Sequence, residues 1–186
     1  METKPAPMPL LLVQSFVNTW EGDSGVDLLS EAKPAGRWLA ETEFLKAGHR
    51  LDREELGRAR AVREGIRALL VHNGGGPAPT KAELRPLDQL AHDARLHVAL
   101  DRSGGVELFS EGTGGRIELS RLLLLIRDAQ RDGTWWRLKA CHNSACRWAF
   151  YDRSHAGLGA WCDMAVCGNR IKNRNLRSRR ARRPLH

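Results

Sequence analysis

Cysteine is missing from the first 140 residues of this 186-residue chain, and acidic residues are missing after Asp163. The first absence excludes a secreted domain stapled along its length by disulfides. The second leaves a C-terminal segment whose charges are all of one sign. Long apolar runs are absent too. The longest aliphatic stretch, Leu122 to Ile126, is closed by Arg121 and Arg127, far short of the roughly 20 residues that span a bilayer. Leu10 to Val13 has only Lys4 ahead of it, opposed by Glu2, and no small-residue cleavage pattern follows, so no signal peptide is expected and the location is read as cytoplasmic. The glycine run Asn73 to Gly76 lacks the Lys and Ser/Thr of a phosphate loop and reads as a linker. His49, His72, His92 and His97 show no metal spacing, and no nucleophile and base constellation exists to which catalysis can be assigned. An enzyme is not expected.

What is present points to an ordinary fold with an unusual end. Hydrophobic residues make up 41% and charged residues 28%, close to globular averages, and the length suits one domain or a domain with a small module. The formal net charge is +8, from 30 Lys and Arg against 22 Asp and Glu. Eight positives, Arg170, Lys172, Arg174, Arg177, Arg179, Arg180, Arg182 and Arg183, follow the last acid; setting them aside leaves 22 basic residues, which match the 22 acids. The body is neutral, and the whole excess sits in one segment, the pattern of a chain with a polyanionic partner.

Apolar spacing predicts a first helix from Leu10 to about Trp20, broken by the glycines of Glu21 to Gly25. A second is expected from Pro34 to about Lys46. Asp52 with Glu55 forms a capping box for the strongest helix, whose stripe is Leu56, Ala59, Val62, Ile66, Leu69 and Leu70. Thr80 with Glu83 repeats that signature for a helix to about Arg95, disturbed by Pro86. Leu96 to Leu100 and Val106 to Phe109 read as a β-hairpin. Ile117 to Arg131 reads as a last helix stopped by Gly133. All four cysteines, four of six tryptophans and the basic tail then follow, so the fold class is α+β: a mainly helical N-terminal domain, 1–134, then a small module, 135–186. Within the first helix, Asn18 and Thr19 are candidates for lining a ligand pocket, against the alternative that they bond locally or face water.

The cysteines are spaced Cys141-x4-Cys146 and Cys162-x4-Cys167 with fifteen residues between. Two close pairs of soft ligands joined by a loop supply the tetrahedron of one structural zinc ion and leave no position open for catalysis. Two disulfides or four free thiols are the alternatives. Residues five apart point away from one another in a regular helix, so Cys162 and Cys167 must straddle a helix start. With Asp163 as N-cap they occupy N′ and N4, the positions that meet in a hydrophobic staple. Trp148, Phe150 and Tyr151 suit a strand between the pairs, and knuckle, hairpin and helix follow in treble-clef order. His142 and His155 are read as surface or supporting groups, since four cysteines complete the site. Stacking on bases is open to Trp135, Trp136, Trp148 and Trp161, but a small zinc module needs large side chains for its core, and Trp148 and Trp161 are expected there.

Cys141-His-Asn-Ser-Ala-Cys146-Arg-Trp-Ala-Phe-Tyr-Asp-Arg-Ser154, with Trp161-Cys-Asp-Met-Ala-Val-Cys-Gly-Asn-Arg170, resembles the CGNR zinc-finger family, whose signature is Cys167 to Arg170 here. Phe16-Val-Asn-Thr19, Asp27-Leu-Leu29 and Trp38-Leu39 are similar to the ABATE domain that accompanies it. The resemblance implies a bacterial transcriptional regulator that binds DNA. Two positions depart from the family pattern: His155 to Ala160 replaces an arginine-bearing loop, and Leu176 stands where histidine is common.

From Asp163 to Arg183 there is no proline, and Pro184 ends the run, so one helix of about five turns is predicted. Arg170, Arg174 and Arg177 share one face, and Lys172, Arg179 and Arg183 another. Arginine outnumbers lysine seven to one among these positives, which favours bidentate contacts to phosphate or guanine. Asn169, Asn173 and Asn175 add amides that suit adenine. The expected partner is DNA, duplex rather than RNA, because no aromatic RNA-binding sheet is present. The alternative is an interaction adaptor or RNA-binding module docking on an acidic protein or ribosomal RNA. A homodimer and a small-molecule ligand of the N-terminal domain are further partners to expect of a regulator.

Overall fold

The computed structural model describes residues 4–45, 49–94, 96–110 and 118–174. Helix α1 (Leu11–Val17) lies at the centre, with Val13, Phe16 and Val17 fully buried. Phe16 meets Trp38 and Phe44 with ring centroids 6.1 and 6.2 Å apart, close enough for the tilted packing aromatic quadrupoles favour. The helix stops three residues short of the expected Trp20. Glu21 to Gly25 turns the chain back, so that Trp20 pairs in a bridge with Asp27 and Leu28 N donates to Thr19 O at 2.8 Å.

Helix α2 (Ala32–Glu41) also ends earlier than its apolar pattern suggests. Glu43 takes φ 59°, and the amides of Phe44 and Leu45 both fold back to Leu39 O, which drives those two side chains into the core instead of along a helix. Pro34 stands third in the helix, where its missing N–H is one that has no intrahelical partner in any case. Helix α3 (Arg53–Asn73) has the capping box expected at Asp52 and Glu55, with Glu55 N donating to Asp52 Oδ1 at 2.8 Å. Its expected stripe is buried or packed against the core, and two arginines, Arg63 and Arg67, are buried with it.

Helix α4 (Lys81–Asp93) starts at the Thr80 and Glu83 capping box and continues through Pro86. It crosses α3 at Gly65, where a Cβ would stand 2.9 Å from Glu83 O and 3.1 Å from Leu87 Cγ, so glycine sets that approach. Strands β1 (Leu96–Leu100) and β2 (Val106–Ser110) form the expected antiparallel hairpin, with Val98 opposite Leu108 and Leu100 opposite Val106. Asp101 closes its loop by accepting from Ser103 N and Gly105 N. Leu96, Val98, Leu100, Val106 and Leu108 lie exposed along this hairpin, Val98 at 68%.

Helix α5 (Ser120–Arg131) buries Leu122, Ile126 and Ala129; the Ile117 end of the predicted helix lies outside the described residues. A short 3-10 turn, Trp135–Arg137, leads into β3 (Leu138–Ala140), which pairs antiparallel with β4 (Ala149–Tyr151), Ala140 opposite Ala149. Leu138, Ala140, Ala149 and Tyr151 belong to the same apolar cluster as Phe16, Leu39 and Ile66. The result is a mainly helical N-terminal region with one β-hairpin, followed by a four-cysteine cluster and a basic helix. No described helix is long and apolar enough to cross a membrane.

Candidate metal centre and basic helix

The first cysteine pair is set by a tight knuckle after β3. Cys141 N donates to Trp148 O at 2.9 Å, and the amides of Cys146 and Arg147 both reach Asn143 O at 2.9 Å. Asn143 Oδ1 accepts from Ala145 N, the local turn that asparagine side chains favour. Arg147 then takes φ 50°, reversing the chain into β4. The second pair straddles a helix start as its spacing requires. Asp163 is the N-cap, its Oδ1 accepting from Val166 N at 2.8 Å, with Cys162 just outside and Cys167 at N4. The first turn, Met164–Gly168, is wider than an α-turn: Gly168 N reaches Asp163 O at 3.1 Å beside Cys167 N at 3.0 Å. Helix continues through Asn169 to Arg174. A Cβ at Gly168 would meet Met164 Sδ and stand 3.2 Å from Trp161 Cδ1, so a larger residue there would have to shift the Met164 side chain.

The four sulfurs lie within 4.8 Å of one another, and all four cysteines are buried. Cys146 Sγ is 3.7 Å from Cys162 Sγ, and Cys162 Sγ is 3.8 Å from Cys167 Sγ. Metal–sulfur bonds of about 2.3 Å in a tetrahedron give sulfur–sulfur edges of about 3.8 Å, whereas a disulfide needs about 2.05 Å. The cysteines are free, and the donor set fits one thiophilic cation. Protons serve the cluster poorly. Hydrogen bonds from Cys146 and Cys162 push the Cys141 thiol down, and Cys141 in turn pushes Cys146 and Cys162 up. Four thiolates coexist only when a cation neutralises them.

The surroundings fix the sulfurs. Asn143 Nδ2 donates to Cys167 Sγ at 3.6 Å, and Trp148, Phe150 and Trp161 pack against the cluster. Trp148 and Trp161 thus lie where the small module needs bulk. Trp135 is buried in the main core, whereas Trp136 is exposed, with the Arg137 guanidinium 4.5 Å from its ring centroid. His142 is not among the clustered ligands: its Nε2 lies 2.8 Å from Gly74 O. His155 is exposed.

The N-terminal elements hold this module directly. Asn18 Nδ2 donates to Ala149 O at 2.9 Å, and Ala149 N donates to Asn18 Oδ1 at 2.7 Å, so one amide mimics a neighbouring strand for β4. Thr19 Oγ1 donates to Phe16 O and accepts from Arg63. Arg63 forks onto Asp27 at 2.6 and 2.9 Å. Burial would raise the Asp27 carboxyl, but Arg63 and the Leu29 amide outweigh it and hold it below its usual range. Sequence reading passed over Arg63 and Arg67, although both stand at helical steps from Ala59 and Leu70 on the apolar stripe, which is the signal that exposes them.

Of the eight C-terminal positives, Arg170, Lys172 and Arg174 fall within the described residues, all exposed. Arg170 pairs with Asp23 at 3.1 Å. Arg177, Arg179, Arg180, Arg182, Arg183 and Leu176 lie outside the described residues.

The comparisons with known proteins agree with this geometry. Residues 137–180 match the family described as "CGNR zinc finger", and residues 11–131 match ABATE, described as "Putative stress-induced transcription regulator". No curated protein matches the chain. The assignment is to regulators and not to enzymes, with a zinc-binding module followed by a basic helix. With the ABATE match covering more than half of its length, the chain belongs to the ABATE family and carries a CGNR zinc finger at its C-terminal end.

Proposed function

We propose that this protein is a zinc-dependent transcription regulator that contacts duplex DNA through its C-terminal basic helix. Cys141, Cys146, Cys162 and Cys167 hold one structural zinc ion in a treble-clef arrangement, and Arg170, Lys172, Arg174, Arg177, Arg179, Arg180, Arg182 and Arg183 supply the cationic face. The carrying observation is the position of the four-sulfur cluster at the root of the helix, with Cys167 one turn in and Asn169 to Arg174 continuing from it. Zinc, when bound, ties the helix start to the knuckle; the chain's own residues do the rest. Asp163 caps the helix, Trp148 and Trp161 pack against the cluster, and the arginines are carried outward on a fixed base.

This reading divides the chain into a regulatory portion, 1–134, and a DNA-contacting module, 135–186, in the cytoplasm, and includes a homodimer that presents two basic helices to a symmetric site. Metal analysis is the first check: one zinc per chain is expected after purification under reducing conditions, and loss of that stoichiometry in Cys162→Ser. Selection of bound fragments from random duplex DNA by the zinc-loaded chain then tests the partner. Enrichment of a recurring duplex site supports the proposal. Equal retention of single-stranded RNA and duplex at matched salt, without enrichment, refutes it.

A further inference from the structure

The hairpin of β1 and β2 has one face of aliphatic side chains that the described residues leave open to solvent. Strand alternation puts Leu96, Val98 and Leu100 on that face, and the register sets Leu108 opposite Val98 and Val106 opposite Leu100. All five are exposed, Leu100 and Val106 at 72% and 70%. The other face is furnished: His97 stacks on Phe109 with ring centroids 5.4 Å apart, and β2 packs on α5. A two-stranded sheet is marginal in water unless its apolar side chains are covered, and the roughly 500 Å² that these five leave open is of the size that marks an interaction site. The chain has little of its own to lay there. Outside the described residues stand four large apolar side chains, Met1, Ile117, Leu176 and Leu185, spread over three segments of sequence, too few and too scattered to cover five.

We propose that this face is where two copies of the chain dock, hairpin on hairpin, about a two-fold axis near Val98 and Leu108. The chemistry of the face selects a second copy. Interfaces between separable unlike proteins are no more apolar than ordinary surface, whereas homodimer interfaces are, and here five aliphatic side chains stand with no charge among them. Such a face complements itself: aliphatic meets aliphatic across the axis, and no charge is stripped of water unpaired. Lipid is a poorer match. Residues 96–110 carry one base, Arg102, against two acids, Asp101 and Glu107, a balance that does not draw the hairpin to an anionic membrane surface. Two copies bury about 1,000 Å² from these side chains alone, the least that a specific interface needs. The pairing rests on the homodimer included in the functional reading and gives it a surface, but it does not depend on DNA contact.

Sedimentation of the zinc-loaded full chain, without nucleic acid, tests the proposal. A monomer–dimer equilibrium is expected, with a dissociation constant of about 10 µM or tighter. Val98→Asp and Leu100→Lys, both at exposed positions, should each weaken it about a hundredfold with zinc content and helix signal unchanged, because each buries two like charges against apolar side chains. Glu107→Lys, on the opposite face, should leave it unaltered. In the parent chain, hydrogen exchange of the β1 and β2 amides should slow about fourfold between about 1 and about 100 µM, a reading that needs no variant. A chain still monomeric at about 100 µM would overturn the proposal, and flotation of that monomer with neutral phospholipid vesicles would give the face to lipid instead. A dimer unaltered by both aliphatic substitutions, or strand amides that exchange equally at both concentrations, would overturn it too. Any of these failures leaves the DNA reading standing, since a monomer can still hold duplex by its basic helix.

Discussion

Lys139 carries its charge to a place where only 5% of its side chain meets solvent, and Asp152 answers it at 2.9 Å. Lys139 also donates to Gly157 O, while Asp152 accepts from the amides of Ser154 and Gly159. Burial would raise the Asp152 carboxyl, but the bonds from Lys139, Ser154 and Gly159 prevail and hold it well below the usual carboxylate range. A carboxyl depressed by folding stabilises fully above its unfolded value, 3.8, and that stability is lost as pH falls toward the folded value. The urea midpoint should therefore decline below about pH 5 and more steeply below about pH 4. Asp152→Asn leaves a buried ammonium without its counter-charge and should cost about 3 kcal/mol at neutral pH, with a flatter acid limb in the same urea series. An unchanged midpoint would show that the pair contributes nothing. Neither residue stands out in the sequence, since a lone Lys between Leu138 and Ala140 reads as a solvent-facing strand position. Only the tertiary position of the 152–159 loop reveals the partner. The cysteines are the opposite case: their ligand chemistry and paired spacing are visible without any structure.

Among the elements, the helix begun by Asp163 is the one on which the candidate site depends. Its cap satisfies the Val166 amide, and its first turn carries Cys167 back toward Cys162. Asp163→Ala should cost about 1 kcal/mol of stability. Because the cap also positions a metal ligand, chelator competition should show faster and more complete zinc loss than in the parent. Equal zinc retention would separate the cap from the metal site. This start was legible because capping is a local event between residues three apart, and the same holds for the boxes opening α3 and α4. Helix ends were less legible. α1 and α2 stop early because Trp20 pairs with Asp27 and Phe44 folds back toward Leu39, turns of five to seven residues that carry no short motif comparable to a capping box. Pro86 in α4 removes one bond without ending the helix, since packing on α3 holds both halves.

At the scale of the whole molecule, the two matched regions share one apolar cluster. β3 and β4 contribute Leu138, Ala140, Ala149 and Tyr151 to it, and Asn18 ties β4 to α1 through both of its amide atoms. A composition change near Gly133 marks where the cysteines begin, but composition carries no record of which side chains cross a boundary to pack. Removal of zinc should accordingly lower the thermal midpoint of the entire chain, read by helix signal, as well as unfold the knuckle. The central claim is that the zinc-anchored helix holds duplex DNA by its arginines. Duplex affinity measured against salt concentration, for the zinc-loaded chain and for a chain ending at Asn169, tests it most directly. With four to six of the positives on phosphates, log K should fall against log salt with a slope of roughly −4 to −5 in the full chain and nearly flatten in the shortened one. Equal affinity and equal slope in the two chains would contradict the account.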